Sequence, residues 1–277
     1  MKYYSIILLS CLIVLNSCIE DKQEIILDPE KNETEAVKLS VNRPNLNISI
    51  LLDLSDRIDP KKYPNPAMEF YQRDLGYINS VANSFEWHLR NKRSIKINDH
   101  IQLFIDPEPS DSDLNKKMRA LNLNFTRANA TKENILKTSV IYDSITKQIY
   151  QSAIADNNYI GSDIWRFFKN NVKDYCIEEG HRNILVVLTD GYLYHKDNKI
   201  KESNSTTYLR PQDIRYFKLN TSNWKDKLEQ GNYGFIVPRT DLENLEVLVL
   251  GINPDTKNPY EQDVITLYWE NWLSAMN

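Results

Sequence analysis

Apolar runs alternate with amphipathic stretches from residue 45 to residue 277, and this alternation predicts an α/β domain. Three runs have an apolar centre, which is typical of strands buried on both faces of a sheet; they are residues 46–54, 181–191 and 245–252. A further strand is predicted at 99–106. Apolar residues recur at helical spacing in four segments, which are residues 68–92, 134–153, 161–179 and 260–277.

Strands that alternate with helices pair in parallel through right-handed crossovers. We therefore predict a doubly wound, mainly parallel sheet flanked by helices, a Rossmann-type three-layer sandwich that occupies residues 45–277. Two polar segments interrupt the pattern. Residues 107–133 are expected to hold a short helix or strand near Leu121, and residues 192–240 to form a long insertion with one short helix ended by Gly231.

The first 17 residues have the pattern of an export signal. An early charge, Lys2, precedes an apolar run that is shorter than the roughly 20 residues needed to cross a bilayer. The run ends in the sequence LNSC, which resembles the lipobox of bacterial lipoproteins, although Asn16 stands where that family prefers a small residue. The resemblance implies cleavage before Cys18 and lipidation of Cys18. An ordinary secretory signal is the alternative.

Residues 18–44 are acidic, contain lysines and two prolines, and show no sustained period, so we predict a flexible tether. Glu20 and Asp21 resemble the acidic export tags of surface lipoproteins in Bacteroidetes-like bacteria; a solvated leader is the alternative. These features predict a cell-envelope protein that is lipid-anchored in the outer membrane. They do not decide between the periplasmic and the surface side of that membrane. Beyond Cys18 the mature chain keeps one cysteine, Cys176, which is expected to be a packed thiol without a disulfide partner.

Composition excludes several classes of function. The formal net charge of -4 gives no support to a nucleic-acid interface, and only 7 glycines make a phosphate-binding loop a weak reading. The four histidines show no metal-binding or catalytic-triad spacing, and His88 is expected at the surface or as a helix cap. A nucleophile elbow of the form G-x-S-x-G is absent. We therefore expect no enzymatic activity.

Acidic and hydroxyl side chains follow the predicted strands where ligands bind in open α/β sheets, outside the carboxyl ends of the strands. The first strand is followed by Asp53, Ser55 and Asp56; the loop before the helix at 164 carries Ser162 and Asp163; and the strand at 181–191 ends in Thr189, Asp190 and Gly191. Carboxylate and hydroxyl oxygens without histidines suit Mg²⁺, Mn²⁺ or Ca²⁺ better than zinc. A divalent ion would also relieve the repulsion between the acids.

The three loops, DLSDR, GSD and LTDG, resemble in order and strand context those of a von Willebrand factor A domain. That family carries a metal-ion-dependent adhesion site, and the resemblance implies Asp53, Ser55, Ser162 and Asp190 as the metal-binding residues. Ser162 stands where the family usually has threonine, and Arg57 where it has the second serine of its first loop. Such a site takes a carboxylate from a partner protein as a further ligand, so the resemblance implies adhesion or assembly rather than catalysis.

Arg57 leaves several alternatives open. Its guanidinium could occupy the metal position, which would make the domain a metal-free docking lipoprotein of the same fold. The acids could instead only cap helices and satisfy loop amides. A metal-dependent phosphohydrolase of the haloacid dehalogenase type also begins with a strand that ends in aspartate, but Ser55 occupies the place of its second acid. Near the third loop, Tyr192 and Tyr194 are candidates for the contact surface.

Overall fold

The apolar run predicted at 46–54 forms strand β1, Asn45–Leu52, at the centre of a five-stranded sheet. The structure is a computed structural model that describes residues 43–109, 111–157, 159 and 161–277. The predicted signal peptide, Cys18 and nearly all of the predicted tether lie outside the described residues. Among the described residues, no helix combines the length and the apolar character needed to cross a membrane.

The main strands and helices follow the predicted alternation. The other strands of the large sheet are β2 (Asn98–Phe104), β3 (Leu123–Thr126), β4 (His181–Leu188) and β8 (Leu245–Leu250). The helices that cover it include α1 (Phe70–Arg90), α2 (Ser112–Ala120), α3 (Lys132–Asp156), α4 (Ile164–Asn170), α5 (Val172–Cys176) and α8 (Glu261–Ser274).

The strand order is β3-β2-β1-β4-β8, and every neighbouring pair is parallel except β2 with β3. Asn45 to Leu52 lie opposite His181 to Leu188 in register, so β1 and β4 end at the same level. This confirms the prediction of a mainly parallel sheet. The polar segment 107–133 supplies the exception, because it contains both the helix α2 and the short antiparallel edge strand β3.

Both faces of the sheet are covered. On one face, Ile48, Ile50 and Leu52 of β1 pack into an apolar cluster with α1 and α3. On the other face, Leu51 packs into a second cluster with α4, α5 and α8. Cys176 lies in this second cluster, and burial raises the pKa of its thiol to about 12, as expected for a packed cysteine.

Two predictions about the main elements were wrong. The single helix expected over 161–179 is broken at Asn171, whose side-chain amide donates to the carboxylate of Asp106 at 2.9 Å. The strand expected to be fully buried at 245–252 is the edge strand β8, and Leu248 is 47% exposed.

The insertion at 192–240 is also more ordered than predicted. It forms a second sheet of three very short strands and two helices; these elements are β5 (Lys201–Glu202), β6 (Ser205–Thr206), α6 (Pro211–Tyr216), α7 (Trp224–Gly231) and β7 (Gly234–Phe235). Strands of two residues leave no periodic pattern in the sequence, which explains why the prediction missed them.

Candidate functional site

Three loops meet at the carboxyl ends of β1 and β4, and the carboxylate of Asp53 connects them. Its Oδ1 atom accepts hydrogen bonds from the backbone amides of Ser55 and Ser162, both at 3.1 Å. Its Oδ2 atom accepts from the hydroxyls of Ser55 at 3.2 Å and Thr189 at 3.3 Å. The structure therefore brings together residues that lie more than one hundred positions apart in the chain.

The sheet itself sets this geometry. The amide of Asp53 donates to the carbonyl of Leu188, and the amide of Thr189 donates to the carbonyl of Leu250. The hydrogen bonds between β1 and β4 and between β4 and β8 therefore continue one residue into the loops. Gly191 then turns the chain with a φ of +98°. A Cβ atom at this position would lie 2.6 Å from the Ile265 side chain of α8, so the close packing requires glycine.

Arg57 lies beside and beneath Asp53, and only 5% of it is exposed. Its Nη2 atom donates to Asp74 Oδ2 at 2.6 Å and to the carbonyls of Asp53 and Leu188 at 3.1 and 3.2 Å. Its Nε atom is 3.7 Å from Asp53 Oδ2. Burial alone would lower the pKa of this guanidinium, but the carboxylates of Asp74 and Asp53 outweigh burial and raise the pKa above its ordinary value.

Asp74 and Tyr150 complete this cluster, and neither was predicted from the sequence. Asp74 is fully buried on α1, and the hydroxyl of Tyr150 on α3 donates to its Oδ2 atom at 3.0 Å. One signal was present in the sequence: Asp74 lies four residues before Ile78, on the apolar face of α1. A charged residue on such a face requires a buried partner, and here the partner is Arg57.

Asp190 lacks comparable compensation. Its Oδ1 atom accepts a hydrogen bond from the amide of Tyr192 at 3.1 Å, within the turn after β4. Burial and the nearby charge of Asp53 raise the pKa of Asp190 to about 7, although Arg57 acts in the opposite direction. The rim therefore carries more negative charge than Arg57 neutralises.

A groove of about 1050 Å³ opens above these residues. Its floor and wall include Asp53, Ser55, Arg57, Ser162 and Asp190. The residues that surround this floor are strongly aromatic and include Tyr63, Phe70, Tyr159, Tyr192 and Tyr194. The Tyr192 hydroxyl donates to Glu261 of α8 at 2.6 Å, which holds this ring in place, whereas Tyr194 is 41% exposed.

The remaining predicted residues lie in different surroundings. Asp56 lines the groove and is 3.6 Å from Lys62 Nζ. Thr189 is fully buried beneath Asp53. The Asp163 side chain caps α4 by accepting from the amide of Arg166, and it lies 3.6 Å from Nδ1 of the buried His195. Asp163 is not among the residues that line the groove.

The prediction for His88 was wrong. Its side chain is only 6% exposed, and Nε2 lies 3.0 Å from Asp99 Oδ1. His88 lies on the inward face of α1, near Phe85 and Leu89, and the partner that permits its burial comes from β2. Such a pairing between separate elements leaves no motif in the sequence.

The donor set at the rim restricts how an ion would be held. Within the described ranges, no three histidine, cysteine, aspartate or glutamate side chains are grouped closely enough to hold a metal. An ion here would therefore depend on Asp53 or Asp190 together with the hydroxyls of Ser55 and Ser162, and on water. Oxygen donors of this kind fit Mg²⁺, which commonly keeps several of its waters.

Comparison with known proteins identifies no relative: no protein-family model, curated protein or solved structure matches this chain.

Proposed function

We propose that this protein is a lipid-anchored cell-envelope module that binds a partner protein, for adhesion or assembly, through a divalent-metal site at the rim of a von Willebrand factor A-like domain. The observation that carries the proposal is the convergence of three loops on Asp53. Ser55, Ser162 and Thr189 all donate to its carboxylate, so the loops that carry the expected ligands are held in one arrangement.

The charges at the rim favour a cation. Arg57 is already paired with Asp74 at 2.6 Å, and both side chains are buried. Arg57 is also 3.7 Å from Asp53 Oδ2, so one guanidinium serves both Asp74 and Asp53, and Asp190 beside them has a raised pKa. A bound Mg²⁺ or Mn²⁺ ion would supply the missing charge, and the serine hydroxyls would act as neutral ligands.

Arg57 stands where the von Willebrand factor A pattern has the second serine of its first loop, and its contacts explain how the chain accommodates a cation there. Its Nη2 atom is held by Asp74 and by two backbone carbonyls at the ends of β1 and β4. The guanidinium is thereby anchored toward α1, and Ser55 and Asp190 remain on the groove lining. Arg57 thus removes one serine ligand, while its charge serves a buried pair.

The groove suits a protein partner. Aromatic side chains at its edge offer contact area with little loss of side-chain entropy, and such residues are enriched in interfaces. Lys62 and Lys196 also line the groove. Lys62 is paired with Asp56, whereas Lys196 could meet an acidic side chain of the partner. One partner carboxylate would complete the metal shell. The proposal involves binding without chemical turnover.

The decisive experiment is calorimetric titration of Mg²⁺ and Mn²⁺ into the mature polypeptide, residues 18–277, with Cys18 replaced by serine. We expect saturable binding that is lost in Asp53→Ala and Asp190→Ala and kept in Asp113→Ala, whose exposed aspartate lies on α2. Circular dichroism of each variant controls for folding. Lipidation is tested separately by fatty-acid labelling of cells, which should disappear with Cys18→Ser.

A metal-free docking domain is the second candidate, and one observation favours it. Both oxygens of Asp53 are already occupied by donors from the protein, so Asp53 has no need of an ion to be satisfied. In that case the titration would show no heat with the native chain. Partner capture from envelope extracts would then be unchanged by a chelator, whereas the metal-dependent proposal requires it to be lost.

A further inference from the structure

A basic and aromatic surface lies at the end of the domain opposite the groove. We call it the basal patch and define it by six residues: Arg43, Trp87, Arg90, Arg93, Ile95 and Lys96. Five of them come from the last turn of α1 and the loop that leads to β2. The ten residues from Trp87 to Lys96 contain four lysines or arginines and no acid.

The basal patch exposes apolar and charged groups together. Trp87 is 55% exposed and Ile95 is 62% exposed, and the guanidinium carbon of Arg43 lies 4.4 Å from the centre of the Trp87 ring. Arg90 has a nearby carboxylate, Glu86, at 3.8 Å. In the part of the chain that the structure describes, Arg43, Arg93 and Lys96 form no ion pair.

Buried contacts hold this surface in a defined shape. Lys92, within the same loop, is buried and donates to Asp99 at 2.7 Å, to Asn45 Oδ1 at 2.7 Å and to the carbonyl of Pro44 at 3.1 Å. These bonds tie the loop to the start of β1. The basal patch therefore lies where the chain joins the domain, on the side to which the predicted tether leads.

We infer that the basal patch docks on an anionic phospholipid surface. Exposed lysines and arginines are attracted to anionic headgroups, while tryptophan and isoleucine insert at the level of the headgroups. The predicted lipid on Cys18 would hold the domain within reach, because only about 25 residues separate Cys18 from Arg43. A chain that is acidic overall, at -4, would thus present a cluster of exposed cations to the membrane, while the exposed Glu178 and Glu179 of the loop before β4 lie at the same end of the sheet.

Docking would also orient the domain. β1 starts near the basal patch and ends at Asp53, and its eight residues span about 26 Å. The groove would then face away from the bilayer, toward a partner. This orientation and the lipid on Cys18 rest on the proposed function, whereas the attraction of the basal patch to an anionic surface does not.

Vesicle sedimentation tests the inference with the mature polypeptide, residues 18–277, carrying Cys18→Ser. We expect binding to vesicles of equal parts phosphatidylglycerol and phosphatidylcholine, and none to phosphatidylcholine alone. Binding should weaken as ionic strength rises, because salt screens exposed charges. Arg93→Glu with Lys96→Glu should weaken it at least about 25-fold, since each basic residue near an anionic surface contributes about fivefold.

The matched control is Lys116→Glu with Arg119→Glu, which reverses two exposed cations on α2. This pair should bind vesicles much more like the native chain than the patch variant does. Trp87→Ala should weaken binding less than the double charge reversal. The inference is overturned if the native chain ignores anionic vesicles, if it binds both lipid mixtures equally, or if the two double variants lose binding equally. The metal titration reports on the groove separately.

Discussion

Two carboxylates at opposite ends of the sheet, the buried Asp99 and the half-buried Asp190, have contrasting hydrogen-bond partners. Asp99, at the start of β2, accepts from Lys92 at 2.7 Å, contacts His88 at 3.0 Å and accepts from the backbone amides of Leu46 and Asn98. Burial alone would raise the pKa of Asp99, but these hydrogen bonds and the charge of Lys92 lower it below its ordinary value.

At the other end, Asp190 has one backbone donor and lies near a second acid, and its pKa rises to about 7. Each buried charge requires compensation, and only Asp99 finds all of it inside the protein. The basal carboxylate therefore stabilises the fold by joining α1, β1 and β2. The rim carboxylate lacks such partners, and a raised pKa of this kind is common at functional sites.

The largest predicted effect on stability comes from removing Asp99, the carboxylate whose charge is compensated inside the protein. Asp99→Ala leaves His88 and Lys92 buried without their carboxylate and should lower the free energy of unfolding by about 3–5 kcal/mol. Urea denaturation of the native chain and the variant measures the loss. Asp113→Ala, an exposed carboxylate on α2, should change stability very little. A loss for Asp99→Ala no larger than that of the control would contradict the assigned role.

The pH dependence of this contribution follows from the same pKa. The folded pKa of Asp99 lies below its ordinary value of 3.8, so the unfolded chain takes up the proton first. The stabilisation is complete above pH 3.8 and is lost as pH falls through the folded pKa. Denaturation measured between pH 5 and pH 2 should show that loss in the native chain and a shallower decline in Asp99→Asn.

The next effect concerns the buried pair beneath the rim. Arg57→Ser introduces a hydroxyl beside Asp53 but leaves Asp74 buried without its cation, which should cost about 3 kcal/mol of stability. Adding Asp74→Asn should recover much of that loss, because the uncompensated charge is removed. A double-mutant cycle in urea measures the coupling between the two residues. A coupling near zero would show that Arg57 and Asp74 act independently.

Replacing Asp190 is expected to stabilise the fold, in contrast to the preceding substitutions, and by a smaller amount. Its folded pKa of about 7 exceeds the ordinary 3.8, so the folded chain binds the proton more tightly and stability declines as pH rises through this range. At pH 8 with a chelator, Asp190→Asn should therefore stabilise the fold by about 1–3 kcal/mol. Magnesium should stabilise the native chain and leave the variant unchanged. Thermal unfolding of both proteins with and without magnesium measures these differences. A variant less stable than the native chain at pH 8 would contradict the conclusion that the charge of Asp190 destabilises the fold.

The smallest predicted effect is at Ser162. Its hydroxyl donates to the carbonyl of Leu52 at 2.5 Å, while its backbone amide holds Asp53. Ser162→Ala keeps the amide and should cost about 1 kcal/mol of stability. Metal affinity should nevertheless fall, since one oxygen ligand is removed, and Ser162→Thr should retain it. Equal metal affinity in the native chain, Ser162→Ala and Ser162→Thr would show that Ser162 is not a metal ligand.

Much of the fold could be predicted from the sequence, because strand periodicity and apolar runs are local properties. The strands at β1, β2 and β4 and the helices α1, α3 and α8 appear within a few residues of their predicted bounds. The convergence of Asp53, Ser162 and Asp190 was also predictable, since parallel strands bring their carboxyl ends to one edge of the sheet. The break at Asn171 was not, and the partner of its side chain, Asp106, lies 65 positions away in the chain.

By itself, the sequence determined the alternating strands and helices, the acidic and hydroxyl residues at the strand ends, and the basic run before β2. Each follows from neighbouring residues and from the periods of a strand or a helix. Only the tertiary structure decided which charges are compensated. Arg57 meets Asp74, and His88 and Lys92 meet Asp99, through pairings between separate elements. Among the described residues, Asp190 forms no salt bridge, and its pKa is raised, because the desolvation and Coulomb energies of a charge depend on what packs around it.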